Sequence, residues 1–219
     1  MESQKATKSA NGRVKSAIQD RLRRMITTLE LPPGKIVSES YLISLLNCGR
    51  TPLRDALLLL AHDHLITLIP GVGMSIAPLS ITDFTPVSEM CAILYGASAR
   101  LAAERISEAE LAKLEDMVDR SVTALERGDV TALCDLDLEF HEGIAEAADN
   151  QLLLETIKRC DMLSIRFTHY AYERNNKFKE SWTEHRALLH ALRDRDPEEA
   201  ARQGTKHIRE SWERVREAL

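Results

Sequence analysis

The chain has 219 residues and a net charge of −5 at pH 7, with 44% hydrophobic and only 5% aromatic residues. This length allows one large domain or two small ones, and the composition favours a helical protein. The sequence contains no stretch of about 18 apolar residues, so it predicts no membrane-spanning helix. The polar start from Met1 to Asn11 lacks the apolar segment of a secretory signal, so we expect a cytoplasmic protein.

The cysteines argue against a disulfide framework. No two of the four form a Cys-x-x-Cys pair. Because zinc knuckles and disulfide scaffolds need a characteristic cysteine spacing, neither is indicated. We predict reduced and mostly buried thiols at Cys48, Cys91, Cys134 and Cys160.

Charge is distributed unevenly along the chain. Residues 1–78 contain ten Lys or Arg against six Asp or Glu, a balance of +4. Residues 79–219 contain nineteen against twenty-eight, a balance of −9. Since DNA is a polyanion, only the first part of the chain favours contact with phosphates.

Residues 12–78 predict a winged helix-turn-helix domain, preceded by a flexible arm over 1–11. Apolar residues recur at helical spacing until Leu31-Pro32-Pro33-Gly34 ends the first helix. Ser38 is expected to cap a second helix and Thr51 a third, and Pro70-Gly71-Val72-Gly73 separates two strand patterns. The predicted elements are helices over 12–30, 38–46 and 50–62 and strands over 65–69 and 74–77.

The rest of the chain predicts an all-helical domain over residues 86–219, joined by a linker over 79–85. Its helix starts carry clear capping signals, among them a capping box at Ser107 and Glu110 and an Asp196-Pro197 start. Six helices of this length indicate an antiparallel bundle. They are expected over residues 86–106, 108–127, 130–148, 150–175, 178–194 and 197–218.

The third predicted helix carries the candidate DNA-reading residues. Arg50 and Arg54 are four residues apart, so they share one face that excludes the apolar stripe. Arginine donates two hydrogen bonds to guanine in the major groove, and Thr51 at the helix start is placed for a phosphate. Gly71 lets the hairpin tip approach the minor groove. Solvated surface charge is the alternative for both arginines.

A family resemblance rests on these segments. Pro33-Gly34, Ser38-Glu39, the stretch from Gly49 to Leu57 and the glycine-tipped hairpin resemble the winged helix of GntR-type regulators. The resemblance implies that Arg50, Thr51, Arg54 and Gly71 contact DNA. Ser40 stands where the family often has Arg, and Gly49 where it usually has Ser, so the resemblance leaves open one phosphate or base contact and, with it, the operator sequence.

A candidate metal site lies in the second part of the chain. Asp137 and His141 are four residues apart, which stacks a carboxylate and an imidazole on one helix face. His185 and His207 lie on separate later helices and are able to complete the set. Imidazole with carboxylate suits zinc, nickel, iron or manganese. A metal-free polar pocket is the alternative.

The stretch from Asp137 to His141, with Asn150, Glu184-His185 and His207, resembles the FCD ligand-binding domain of FadR-type GntR regulators. Together with the winged helix, the resemblance covers the chain from Arg13 to its end. It implies that Asp137, His141, His185 and His207 bind a divalent metal, most simply zinc, and that the effectors are small organic acids.

The effector pocket departs from the family pattern. Other members place an Arg and a Glu on the first helix of this domain, where this chain has Cys91 and Tyr95. We therefore expect an unusual effector, or a different way of holding it. Tyr95 and a polar face of the long helix are the candidate effector contacts, that face comprising Arg166, Thr168, His169 and Tyr172.

These features predict a mainly α-helical DNA-binding transcription regulator rather than an enzyme. By resemblance it is a repressor that binds a palindromic operator as a homodimer and responds to a carboxylate effector. One rival is a metal-dependent helical-bundle enzyme, but di-iron bundles need Glu-x-x-His pairs and no histidine of the second domain has an acid three residues before it. The other rival is a protein-interaction scaffold.

Overall fold

A computed structural model of the chain describes residues 16–174 and 181–218. The chain divides into two compact units, Met1–Leu79 and Ser80–Leu219. The predicted arm over 1–11, the first four residues of the first predicted helix, and the predicted helical positions 175 and 178–180 lie outside the described residues. None of the described helices is both long and apolar enough to cross a bilayer.

The N-terminal unit is a winged helix-turn-helix, as the sequence predicts. Its described elements pack around one apolar cluster that includes Leu22, Leu42, Leu53 and Met74. The elements are α1 over residues 16–27, β1 Ile36–Ser38, α2 Glu39–Leu46, α3 Arg50–His62, β2 Ile66–Ile69 and β3 Gly73–Ile76.

Strand β1 is absent from the predicted elements, and it completes a three-stranded antiparallel sheet of order β1-β3-β2. Ile36 pairs with Ser75, and Ile66 pairs with Ile76. Only three residues form β1, too few for an alternating pattern to stand out, so its pairing with β3 decides its conformation. The hairpin of β2 and β3 is the wing.

Two predicted boundaries in this unit are wrong. Helix α1 ends at residue 27 rather than 30, because Leu29 takes a left-handed conformation with φ 62° and the Leu31 amide donates to the Met25 carbonyl. Thr51 is not the N-cap of α3. Gly49 takes that position and offers no side-chain hydrogen bond, so Thr51 is the second residue of the helix.

The C-terminal unit is an all-helical antiparallel bundle, as the sequence predicts. Extensive helix pairs are α4 with α9, α5 with α6, and α6 with α7. The helices are α4 Ile81–Arg105, α5 Glu108–Arg127, α6 Val130–Ala147, α7 Gln151–Arg174, α8 Ser181–Arg193 and α9 Pro197–Ala218.

The predicted linker over 79–85 is helical from Ile81 onward, so the proline at position 86 does not start the helix. Ser80 caps α4 by accepting the Thr82 amide, and Pro86 lies inside the helix. Phe84 is fully buried against the rings of Phe167 and Trp212. This aromatic packing stabilises the first turn of α4. It offsets the cost of Pro86 inside the helix, since proline has no amide hydrogen to donate to the preceding turn.

Helices α4 and α9 approach closely because glycines face each other's helix. A Cβ atom on Gly96 would lie 2.2 Å from Thr205 Oγ1, and one on Gly204 would lie 3.1 Å from the Ala99 Cβ. Larger side chains at these positions would push the two helices apart. The contact packs α4, which carries Tyr95, against α9, which carries His207.

Candidate nucleic-acid interface and metal centre

Helix α3 presents both of its arginines to solvent and three of its leucines, Leu53, Leu57 and Leu60, to the core. The side chains of Arg50 and Arg54 are 72% and 60% exposed, whereas Leu53 and Leu57 are buried. The i, i+4 spacing therefore brings the two guanidinium groups to one open face of the helix. The exposed Thr51 lies in the first turn of the same helix.

Glu39 holds the two arginines near each other, a contact that the sequence patterns did not reveal. Arg54 donates from Nε to both carboxylate oxygens of Glu39, at 3.0 and 3.2 Å. The Nε atom of Arg50 lies 4.0 Å from the same carboxylate. Both hydrogen bonds of Arg54 use Nε, so its terminal nitrogens keep the forked geometry that a guanine edge requires.

The wing exposes its tip and anchors its base. Gly71 has φ 75° and open space around its Cα, and Val72 beside it is 48% exposed. A Cβ atom on Gly73 would lie 2.2 Å from the Val37 carbonyl oxygen. Gly73 is therefore required for the pairing of β1 with β3, whereas Gly71 is free to approach a ligand.

Four predicted ligands converge inside the C-terminal unit. Asp137 and His141 come from α6, His185 from α8 and His207 from α9, and one ligand atom from each lies within 4.8 Å of the others. The Nε2 atom of His207 lies 3.0 Å from Nε2 of His141 and 3.1 Å from Nε2 of His185. Asp137 Oδ1 lies 3.4 Å from His185 Nε2 and 3.8 Å from His141 Nε2.

These separations fit a shared metal ion. Imidazole nitrogens about 2.0 Å from a zinc ion stand about 3.3 Å apart in a tetrahedral shell, close to the observed spacing. Without a metal ion, the same separations suit N–H···N hydrogen bonds to His207 Nε2, because a neutral imidazole carries one N–H donor and one lone pair. Burial lowers the pKa of His141 and of His185 well below the usual range, which keeps both rings neutral and able to bind a cation.

The surrounding side chains orient the ligand rings. Phe140 stacks on His185 with a centroid separation of 4.3 Å, and Trp182 meets the same ring edge-on. Tyr95 meets the His141 ring edge-on at 4.6 Å. Burial raises the pKa of Asp137 to about 6. At neutral pH Asp137 is therefore ionised, and a positive partner such as a metal ion would stabilise its buried negative charge.

His207 has a further partner in Glu184. Its Nδ1 atom lies 2.7 Å from Glu184 Oε2, and Arg214 donates to both oxygens of the same carboxylate at 2.7 and 2.9 Å. Burial opposes ionisation of Glu184, but the hydrogen bonds from His207 and Arg214 prevail and lower its pKa to about 2. The spacing of Glu184 and Arg214 along the chain contains no signal of this contact.

Tyr95 lies beside the ligand cluster and holds Asp161, which the sequence analysis missed. The Tyr95 hydroxyl donates to Asp161 Oδ1, while Oδ2 is buried without a hydrogen-bond partner among the described residues. Burial raises the pKa of Asp161 to about 8 and that of Tyr95 well above its usual range. A bound molecule or water would be expected to satisfy Oδ2.

The predicted effector contacts on α7 are buried rather than solvated. Arg166 is 4% exposed, and Thr168, His169 and Tyr172 are also buried. Burial lowers the pKa of Arg166, while the charge of Asp83 at the start of α4 opposes that shift. The predicted face therefore points into the bundle, and Tyr95 on α4 contacts the candidate metal ligand His141.

All four cysteines are free thiols, as the sequence predicts, and they differ in burial. Cys91 and Cys134 are buried, but Cys48 and Cys160 are only partly so. Cys91 and Cys160, far apart in sequence, share a hydrogen bond that raises the pKa of Cys91 and lowers that of Cys160 to about 7. The folding of α4 against α7 brings them together.

Asp161→Asn should change how the stability of the metal-free protein depends on pH. Asp161 has a pKa of about 8 in the folded protein, against 3.8 for an ordinary Asp. Between these two pH values the folded chain therefore binds one proton more than the unfolded chain. The free energy of unfolding should therefore fall as pH rises through this window, by up to about 1.4 kcal/mol per pH unit.

The variant keeps an acceptor for Tyr95 but has no proton to lose. Denaturant unfolding of both proteins is measured between about pH 5 and pH 8. The free energy of unfolding of the variant should rise relative to that of the parent as pH rises. Groups common to both proteins cancel in this difference. Parallel curves would show that burial does not hold a proton on Asp161.

Comparison with known proteins identifies the two units. Residues 14–76 match the model of the gntR family of bacterial regulatory proteins, and residues 87–210 match the FCD domain. The chain belongs to the GntR family. It is thus a transcription regulator with a DNA-binding winged helix and an FCD effector-binding domain, and not an enzyme.

Relatives of this GntR regulator extend along most of its length. It is 29% identical over 196 residues to the transcriptional repressor RspR of Escherichia coli K12, covering 90% of this chain and 86% of RspR. The Nta operon transcriptional regulator of Aminobacter aminovorans is 27% identical over 197 residues, covering 89% and 91%.

The fold is shared with a solved GntR structure. The chain superimposes on Escherichia coli McbR/YncC with a TM-score of 0.85, 20% sequence identity and coverage of 93% of this chain and 97% of that chain. This likeness concerns the fold of the GntR regulator alone.

Proposed function

We propose that this GntR regulator represses transcription in the cytoplasm by binding a palindromic operator as a homodimer. In this proposal α3 enters the major groove, Arg50 and Arg54 read bases, Thr51 contacts phosphate and Gly71 approaches the minor groove. The observation that carries the proposal is the exposed pair of Arg50 and Arg54 on one face of α3, both close to the Glu39 carboxylate. The name of RspR supports repression as the direction of regulation.

The C-terminal domain is proposed to bind one divalent metal ion. Asp137, His141, His185 and His207 are the proposed ligands, and zinc is the first choice, with nickel, iron and manganese as the other candidates. When bound, the ion supplies a positive centre with positions open to a carboxylate or hydroxyl oxygen. The converging Nε2 atoms and the neutral state of two buried imidazoles support this assignment.

The effector is proposed to be a small organic acid that binds beside this centre. Tyr95 and Asp161 lie next to His141 and offer a polar group with an unsatisfied oxygen. Arg166, His169 and Tyr172 are the further proposed contacts from α7. Since α4, α6, α8 and α9 all contribute side chains, a bound acid would alter how these helices pack. That change would alter the spacing of the two recognition helices of a dimer.

Salt dependence tests the proposed DNA contacts, because binding to phosphates releases counterions. Binding of the full chain to a duplex that contains its operator should weaken as the salt concentration rises. The slope of log affinity against log salt concentration should be about −0.9 for each phosphate contacted. Sedimentation of the same samples should show a dimer at micromolar concentration. Salt-independent binding, or monomers alone with and without DNA, would contradict the proposal.

A further inference from the structure

Glu184 lies at the centre of a buried chain of polar groups behind the metal centre. Its side chain is 14% exposed, and those of His207 and Arg214 are 2% and 9% exposed. His207 reaches Oε2 at 2.7 Å, and Arg214 donates to Oε1 at 2.7 Å and to Oε2 at 2.9 Å. The three groups therefore form one continuous array within α8 and α9.

This array determines which nitrogen of His207 is free. An imidazole that donates its Nδ1 proton to a carboxylate presents the Nε2 lone pair on the opposite side of the ring. In His207 that side faces the Nε2 atoms of His141 and His185, at 3.0 and 3.1 Å. The hydrogen bond to Glu184 thus prepares His207 as a ligand.

The other two histidines have no such support. The Nδ1 atoms of His141 and His185 are buried without a hydrogen-bond partner within the described part of the chain. Stacking against Phe140 orients the His185 ring but does not select its tautomer. His207 is therefore the best prepared of the three imidazoles, and Glu184 is the carboxylate that prepares it.

Arg214 keeps Glu184 in this role. Its two terminal nitrogens grip both oxygens of the carboxylate, a geometry that lysine cannot reproduce. The fork fixes the orientation of the Glu184 carboxylate, whose Oε2 lies 2.7 Å from His207 Nδ1. It also neutralises a buried charge that would otherwise be costly.

We propose that Glu184 and Arg214 are positioning residues of the metal centre, which hold His207 in its metal-binding tautomer and orientation. The inference rests on the proposed metal site and deepens it. Two residues outside the ligand set would then contribute to metal affinity, and one of them, Arg214, lies in the last turns of α9. Mutation of a carboxylate that is hydrogen-bonded to a ligand histidine typically weakens metal binding about 10- to 100-fold.

The test measures the affinity of the full-length protein for zinc alone, by competition with a chelator. Glu184→Gln should weaken zinc binding about 10- to 100-fold, because an amide accepts the His207 proton less well and repels the Arg214 fork. Glu213→Gln is the matched control, since Glu213 lies beside Arg214 on α9 with its side chain 64% exposed. The control should bind zinc as the parent does.

Two further measurements separate positioning from a purely structural role. The absorption spectrum of the cobalt-substituted protein should change in Glu184→Gln, because the His207 bond to cobalt is altered. Arg214→Lys keeps the charge and should weaken zinc binding in the same direction, even where Glu184→Gln fails to fold. A variant whose metal-free melting temperature falls while its zinc affinity and cobalt spectrum match the parent would overturn the inference.

The outcome also distinguishes this inference from the proposed function. A parent protein that binds zinc and loses less than about threefold affinity in both variants overturns only the role of Glu184 and Arg214. A parent protein that binds no zinc, nickel, cobalt or manganese overturns the metal site together with this inference. Operator binding by the metal-free protein is measured separately and concerns the N-terminal unit.

Discussion

Replacing Asp137 and His141 together by alanine is expected to abolish metal binding. The parent protein should carry about one equivalent of metal, and the double variant should carry none. Two of four ligands are lost, both from α6, and the remaining pair of His185 and His207 is too few for a stable site. Metal analysis of protein purified without a histidine tag measures both values.

The control for this experiment is Glu146→Ala, which removes an exposed carboxylate from the same helix. It should retain the full metal content. Circular dichroism is needed to show that the double variant keeps its helices, because His141 is buried in the bundle. A double variant that is folded and still binds one equivalent would contradict the ligand assignment.

The absence of metal from the parent would have a different consequence. If zinc, nickel and manganese all fail to bind after incubation, Asp137 and the three histidines form a metal-free polar pocket. The DNA-binding function would be unaffected. The search for effector contacts would then move to the buried face of α7 around Arg166.

Arg54→Ala is expected to weaken specific operator binding by about 1 to 3 kcal/mol, or about 5- to 150-fold. The variant loses a guanidinium that can form two hydrogen bonds with guanine. It also leaves the Glu39 carboxylate, normally the acceptor of the Arg54 Nε, without this partner near DNA. The operator is first selected from random duplexes with the parent protein, and affinities are then measured at one fixed salt concentration.

The two contributions separate in a double variant. Glu39→Gln in the Arg54→Ala background should recover the part of the loss that comes from carboxylate repulsion and leave the loss of base preference. Arg159→Ala removes an exposed arginine from α7 and should leave operator binding unchanged. An Arg54→Ala protein with the affinity and base preference of the parent would refute the assignment of Arg54 as a base-reading residue.

Local sequence patterns predicted most of the fold, because helix caps and apolar periodicity act over a few residues. The capping box of Ser107 and Glu110 starts α5 as predicted. The errors have causes that are distant along the chain. The sequence pattern predicts a helix start at Pro86, but burial of Phe84 against Phe167 extends α4 to Ile81. The short strand β1 needs β3 as a partner before its pattern has meaning.

The candidate metal site was only partly predictable from local pattern. Asp137 and His141 share a helix face, so their spacing alone suggested a pair. His185 and His207 were candidates because they lie on separate later helices, and the FCD resemblance implied the same ligands; the structure places their Nε2 atoms 3.1 Å apart. The resemblance includes Glu184 beside His185 but gives it no contact with His207.

The sequence by itself therefore determined the order of the elements, the basic first domain, the exposed arginine pair and the candidate ligands. Only the tertiary structure decided that Glu184 meets Arg214, that Tyr95 meets Asp161 and that Cys91 meets Cys160. These contacts join residues on different helices, and their partners depend on how the helices pack. Hydrogen bonds and charge interactions at such contacts act over a few ångströms in space, whereas sequence patterns report only neighbours along the chain.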